Sequence, residues 1–163
     1  MNIYLKLSDF KNENNFIDLK DNIRYLYPKK NTIMEGEFTK IMFSKSNVTM
    51  NGIYLYIPLI TEKKITSNNE IFIRNILNNS NNTSIVADLK LLEKVILHNY
   101  QEYTRKNKLM DTILTKQLLS NQIRVYHDNH NHNLKKKNYY VIKISGIWET
   151  SKKIGLTYKI MEL

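Results

Sequence analysis

Lysines, tyrosines and the chain's only tryptophan recur along the C-terminal stretch Tyr139-Tyr140-Val141-Ile142-Lys143-Ile144-Ser145-Gly146-Ile147-Trp148-Glu149, and again in Ile154-Gly155-Leu156-Thr157-Tyr158-Lys159-Ile160-Met161. Aromatic rings stack on unpaired bases and ammonium groups meet phosphates, so this mixture suits the holding of a single nucleic-acid strand. The phosphate-side candidates are Arg124, Lys143, Lys152, Lys153, Lys159 and the run Lys135, Lys136 and Lys137; the base-side candidates are Tyr139, Trp148 and Tyr158. A base stacked on one such ring contributes about 1–3 kcal/mol. The competing reading is that Trp148 and Tyr158 pack inside, as large aromatics usually do, and that the lysine run is a solvated loop. Gly146 and Gly155 divide the same way: bends that help a sheet close, or gaps where a ligand approaches.

Other chemistries find less support. The stretch His127-Asp128-Asn129-His130-Asn131-His132 contains ligand types for zinc, but no second ligand cluster accompanies it, and no metal is expected. Glu35 and Glu37 share one strand face without a basic or metal-binding counterpart. With Cys at 0, thiolate metal sites, disulfide frameworks and cysteine nucleophiles are excluded. Gly at 4 argues against a glycine-rich phosphate loop, and no serine-nucleophile elbow occurs. The expectation is a non-enzymatic protein without a cofactor.

Charge points the same way as the rings. The net charge is +10, and from residue 100 onward 12 Lys/Arg face 5 Asp/Glu, so most of the excess lies around the C-terminal stretch. Polyanions are the natural partners: single-stranded DNA first, RNA next, then an acidic surface of a membrane or protein. Heavy use of Lys, Asn and Ile also fits an A+T-rich genome, which inflates lysine without functional demand. The start, Met1-Asn2-Ile3-Tyr4-Leu5-Lys6, has no basic leader pattern, and no apolar run reaches bilayer length. The expectation is a soluble, intracellular protein without membrane insertion.

The elements that must position these residues follow from periodicity. At 163 residues the chain fits one domain, with residues 1–30 as an N-terminal strand and helix extension and 31–163 as a β-rich core. Phe16, Leu19, Ile23 and Leu26 are spaced for a helix ending at Pro28. Segments 33–43 and 48–57 predict a hairpin, with Asn51-Gly52 as a turn or a bulge and a buried run Ile53 to Ile60. Segment 65–77 fits strand or short helix. Ser84 as N-cap opens a long helix over about 85–106, with Leu89, Leu92, Ile96, Tyr100 and Tyr103 on one stripe. A second helix over 109–119, a strand over 123–126 and the C-terminal hairpin complete the chain. In that hairpin, strict alternation puts Trp148 with Tyr140, Ile142 and Ile144, and Lys143 with Val141 and Ile147. The fold class is α+β and antiparallel, either a Greek-key barrel of the oligonucleotide-binding type with the long helix between strands 3 and 4, or a curved sheet covered on one face by helices.

The motifs Ile144-Ser145-Gly146-Ile147-Trp148-Glu149, Gly155-Leu156-Thr157-Tyr158-Lys159, Met34-Glu35-Gly36-Glu37-Phe38 and Met50-Asn51-Gly52-Ile53-Tyr54-Leu55 resemble those of small proteins encoded by large DNA viruses of eukaryotes. The resemblance covers about a third of the chain and carries no residue roles. It implies a viral protein acting in an infected cell, in host cytoplasm, nucleus or viral factory, on replicating DNA or within the particle. The alternative function is a structural or assembly protein, such as a minor virion component, that self-associates or contacts other viral proteins; a regulator acting through protein contact is the third.

Overall fold

In a computed structural model that describes residues 4–9, 17–30, 35–61, 63–67, 70–127 and 140–163, the chain runs β1 (Leu5–Lys6), α1 (Ile17–Asn22), β2 (Ile23–Tyr25), β3 (Lys29–Lys30), β4 (Glu37–Lys45), β5 (Val48–Met50), β6 (Ile53–Ile57), β7 (Lys63–Ser67) and β8 (Glu70–Arg74). It continues through α2 (Thr83–Thr104), β9 (Leu109–Asp111), α3 (Ile113–Leu119), β10 (Gln122–His127), β11 (Tyr140–Glu149) and β12 (Lys153–Glu162). The architecture is mixed α+β: a mainly antiparallel sheet with one long helix.

β11 and β12 are the two longest strands and form the centre, paired antiparallel along their whole length. The outer edge of β11 is shared by two strands, β6 along Tyr140 to Ile144 and β4 along Gly146 to Glu149. The outer edge of β12 is shared in the same manner, by β9 at Lys153 to Gly155 and by β10 at Met161 and Glu162, both parallel. From there β10 turns away to pair with β8, and β8 with β7. The sheet does not close on itself. The long helix follows the eighth strand, not the third, because segments read as single strands are split. Gly52, at φ +109, ends β5 and lets β6 start beside β11, and its missing Cβ leaves room for the Ile144 carbonyl.

Tertiary pairing also overrides local helix pattern in three places. Ile23 and Tyr25 leave α1 to pair with β4, so the helix expected to reach residue 27 stops at Asn22. Leu109 to Asp111 pairs with β12 and shortens the second expected helix to α3. Segment 65–77 resolves into the β7–β8 hairpin followed by a 3-10 turn. The segment expected as an N-terminal extension is woven into the sheet, with β1 on β6 and β2 and β3 on β4. The long helix sits within two residues of its expected place, although Asn82, not Ser84, stands at its start. Asn82 is fully buried and bonds Ile60 N, Ile60 O and Ile76 O at 2.9, 2.8 and 3.0 Å.

One face of the centre is core. Ile142, Ile144, Ile147, Ile154, Leu156 and Ile160 from the hairpin join Ile53, Leu55 and Ile57, and α2 lays Val86, Leu89, Leu92, Ile96 and Leu97 against them. Tyr103, expected on the same stripe, is 64% exposed. Two buried carboxylates anchor this layer. Glu93 of α2 accepts from the backbone N–H of Leu114 and Thr115 at 2.9 and 2.8 Å, satisfying the first turn of α3 and tying it to α2. Glu149, 3% exposed, accepts from Lys106 and Lys108 through one oxygen, at 2.7 and 2.5 Å, and from Tyr100 through the other, at 2.8 Å. Thr39 in turn bonds Tyr100 at 3.0 Å. Burial pushes the Tyr100 phenol up to about 12, so it stays a donor.

Burial alone would raise the Glu149 carboxyl, but hydrogen bonds from Lys106, Lys108 and Tyr100 outweigh it and bring it down to about 2 from the usual 4.5. A carboxylate with a lowered folded-state value stabilises the fold above its unfolded value and loses that contribution as pH falls toward the folded one. Glu149→Gln is therefore expected to lower stability at pH 7 by roughly 2 kcal/mol, the scale of a lost charged hydrogen-bond pair. Urea unfolding of both proteins should show the difference shrinking from pH 4.5 down to about 2. A difference unchanged across that window would remove Glu149 from this role.

Candidate functional site

A strand's side chains alternate between faces, so the register of β11 on β12 decides what stands opposite the core. Lys143 pairs with Lys159, Gly146 with Thr157 and Trp148 with Gly155, with a register shift between Ile144 and Gly146 that leaves Ser145 as an extra residue. On the unbroken β12, Lys153, Gly155, Thr157 and Lys159 share one face. The bulge at Ser145 therefore moves Trp148 onto the face of Lys143 and sends Ile147, 0% exposed, into the core. Strict alternation predicts the reverse for both residues.

The neighbouring strands extend the same face. Tyr54 of β6 stands beside Lys143, Phe38 of β4 beside Trp148, and Lys40 of β4 beside Gly146. On the other side Tyr126 of β10 stands beside Met161, with Arg124 two residues earlier on the same side of the strand. Val141 has the parity of Lys143 but is buried, so the exposed part of the face begins at Lys143. Read across the strands, the order is Tyr54, Lys143, Lys159, Tyr126: ring, cation, cation, ring. At about 4.8 Å per strand this stripe is about 14 Å wide.

Cations sit on the rings. The Lys143 ammonium lies 5.1 Å from the Tyr54 ring centre, Lys159 lies 4.6 Å from that of Tyr126, and the Arg124 guanidinium lies 4.9 Å from the same ring. Each such contact contributes about 0.5–1 kcal/mol at an exposed site and holds a flexible cation close to the sheet. Arg124 also pairs with Glu70 at 2.9 Å.

The glycines take a third role beside the two expected. A Cβ on Gly155 would overlap the Trp148 indole, and one on Gly146 would overlap first the Thr39 carbonyl and then the Phe38 ring, so Gly155 seats a ring of this chain and Gly146 makes room for both a ring and the neighbouring strand's backbone.

The remaining expected residues are placed differently. Tyr158 has core parity; its hydroxyl donates to Gln117 of α3, and burial, with Glu93 and Tyr126 adding to it, pushes its phenol well above the usual value. Lys152 lies in the exposed turn before β12, where Thr150 caps the loop by accepting from the Lys153 N–H at 3.0 Å. Lys153 is exposed on the shared face about 20 Å from Lys159, from six residues of strand rise. Lys135, Lys136, Lys137 and Tyr139, and the His/Asn run from Asp128 onward, lie outside the described residues.

Between β9 and β10, where the two diverge from β12, α3 bridges a cleft of about 670 Å³. Trp148, Tyr158, Lys159 and Arg124, all singled out in the sequence, line this one cleft together with Tyr126. Tyr54, Tyr126, Phe38 and Lys40 are the members that sequence reasoning missed. The signal for Tyr54 was present: the run read as continuously buried alternates, with Ile53, Leu55 and Ile57 buried and Tyr54 and Tyr56 half-buried.

Among the described residues no group of three or more metal-ligating side chains occurs, and no helix is long and apolar enough to cross a membrane. No family model, curated protein or solved structure matches the chain.

Deleting Ser145 alone regularises the ladder and leaves Ile147 inward and Trp148 outward, whereas deleting Gly146 with it places Ile147 opposite Thr157, which turns Ile147 outward and drives Trp148 inward. Losing one buried aliphatic costs about 1.5–3 kcal/mol, and overpacking costs about 1–3 kcal/mol more. The double deletion is expected to lower stability by roughly 3 kcal/mol or more and to blue-shift Trp148 fluorescence, whereas deletion of Ser145 alone keeps the parent's emission and Ser145→Ala stays within about 0.5 kcal/mol of the parent. A blue shift on deleting Ser145 alone would show that Ser145 is not the extra residue of the strand.

Proposed function

We propose that this protein binds single-stranded nucleic acid, DNA in the first instance, with little sequence preference and without catalysis, and that it serves in replication, repair or genome handling. The observation that carries the reading is the pairing of Lys143 with Lys159 on the face opposite α2, each ammonium over a tyrosine ring, with Trp148 further along the same face. Rings offer π-faces that any base can use, and the cations meet the backbone that all sequences share. A duplex buries its base faces in its own stack and would use only the charge. The reading needs an oligonucleotide-binding surface, not a closed barrel. The resemblance of short motifs in the sequence to those of proteins of large DNA viruses, if it reflects kinship, is compatible with a genome-handling role.

If Lys143, Lys159, Lys153 and Arg124 supply three or four phosphate contacts, log K should fall with log salt at a slope of about −2 to −3, at about 0.7 per contact for single strands. A thymidine oligomer titrated against Trp148 fluorescence should then bind roughly a hundredfold or more weaker at 0.5 M than at 0.05 M salt. The double variant Lys143→Glu and Lys159→Glu should lose most of the affinity and flatten the slope while unfolding at the parent's temperature. Binding that ignores salt, or that favours duplex over single strand, would sink the proposal.

A second reading, an assembly protein, draws on a different surface. Tyr27 is 93% exposed, Leu26 46% and Tyr103 64%, and all three border a pocket of about 240 Å³ with Tyr25, Tyr100 and Lys106. Exposed rings gathered away from the basic face suit a protein partner. Concentration-dependent self-association that Tyr27→Ser and Tyr103→Ser abolish, with no oligonucleotide binding, is the result that would favour it.

A further inference from the structure

We infer that the cleft beside α3 accepts one unstacked nucleotide from the bound strand, base inward and phosphate at the rim; this rests on the reading of the sheet face given above. The cleft opens where the outer edge of β12 has no strand partner among the described residues. β9 covers its outer edge only at Lys153 to Gly155, and β10 only at Met161 and Glu162. Residues 156–160 between them all line the cleft, so main-chain polar groups of that edge face it. The volume of about 670 Å³ suits a ligand of nucleotide size.

The lining is graded. Leu156, Ile160 and Ile113 are apolar, Gln117 and Thr157 are polar, and Trp148 and Tyr126 stand where a base passes from the face into the cleft. At the rim, Lys116 is bound to Asp111 at 2.5 Å and Arg124 to Glu70 at 2.9 Å. Lys159 has no carboxylate partner among the described residues and is the cation available to a phosphate.

Geometry separates this occupant from an added peptide strand. An extended peptide on the β12 edge would have to continue past both ends of the gap, where β9 and β10 already occupy that edge. A flat base entering edge-on from the face meets no such stop, and its Watson–Crick edge can use the main-chain groups that a fourth β12 neighbour would otherwise take.

The test uses the whole protein, with Trp148, its single tryptophan, excited selectively as the reporter. Thymidine 5′-monophosphate should change the emission saturably, and thymidine, which lacks the phosphate, should bind at least tenfold more weakly. Ser120→Tyr, which fills the cleft from the α3 side without touching the sheet face, should abolish the mononucleotide response and weaken a thymidine oligomer about tenfold while leaving its salt slope in place. Circular dichroism and thermal unfolding check that the variant is folded, and Ser120→Ala serves as the conservative control. If the oligomer binds but the mononucleotide gives no saturable change, and Ser120→Tyr binds the oligomer as the parent does, the cleft inference is overturned and the face reading stands. Equal affinity for thymidine and its phosphate also overturns it, since the rim would then have no role. If neither oligomer nor mononucleotide binds, both readings fail together.

Discussion

Side chains on a strand alternate with period two, so a single inserted residue exchanges the faces of everything beyond it. Ser145 is that residue. Before it, β11 turns Ile142 and Ile144 inward and Lys143 outward; after it, Ile147 turns inward and Trp148 outward. The same point is where β11 changes partner from β6 to β4. The two events are linked physically, since a bulge bends and twists its strand, and a strand that bends can leave one neighbour and meet another. Gly52 and Gly146 lie at this junction, where any Cβ would meet the Ile144 carbonyl in one case and the Thr39 carbonyl and Phe38 ring in the other. The mixed surface of rings and cations thus follows from how the core is filled: Ile147 is needed inside, and Trp148 goes outside as a consequence.

The second structural device is the splitting of an edge. On the β11 side the split is sealed, because β6 and β4 divide the edge between them with only the bulge unpaired. On the β12 side it is not, because β9 and β10 are joined by α3, whose residues cannot supply a strand edge. The helix is held in that position from behind. Glu93 on α2 takes the N–H groups of Leu114 and Thr115 at 2.9 and 2.8 Å, and Gln117 accepts the Tyr158 hydroxyl. A buried carboxylate is costly unless its bonds are made, and here two first-turn donors of a helix make them. The cleft is therefore bounded by anchored elements, and its size reflects fixed packing instead of a loose loop.

How much of this is legible in the sequence depends on the range of the interaction involved. The long helix and the C-terminal hairpin are readable because their patterns are local and long. Phe16 to Tyr27 misleads because helical spacing of Leu19 and Ile23 is real, yet Ile23 gains more by pairing with Phe43 than by extending a helix. Leu109 to Asp111 misleads for the same reason, through pairing with β12. Lys143, Lys159, Trp148 and Arg124 are identifiable by type, whereas for Tyr54 and Tyr126 alternation can give a face but not a neighbour. Their place beside the lysines depends on which distant strands become neighbours, and that is set by register across separations no periodicity records. The bulge is the hardest feature to foresee. Gly146 hints at an irregularity, but only the neighbours of β11 determine that Ser145 is the residue left over.

Composition raises the remaining question of whether the basic charge is a by-product of lysine-rich codon usage. Such bias can set how many lysines a chain carries, but it acts on all positions alike and has no means of choosing a face or a neighbour. Arg124 and Lys116, both lining the cleft, are each held by a carboxylate at 2.9 and 2.5 Å. Lys143 and Lys159 are placed otherwise: they oppose each other directly, an unfavourable arrangement for like charges, and each rests on a ring instead of an acid. A surface selected only for solubility would relieve that repulsion with a glutamate or threonine at one of the two positions. A pair of facing ammonium groups left to repel each other is relieved when an anion arrives between them, which is the arrangement the proposed phosphate contact requires.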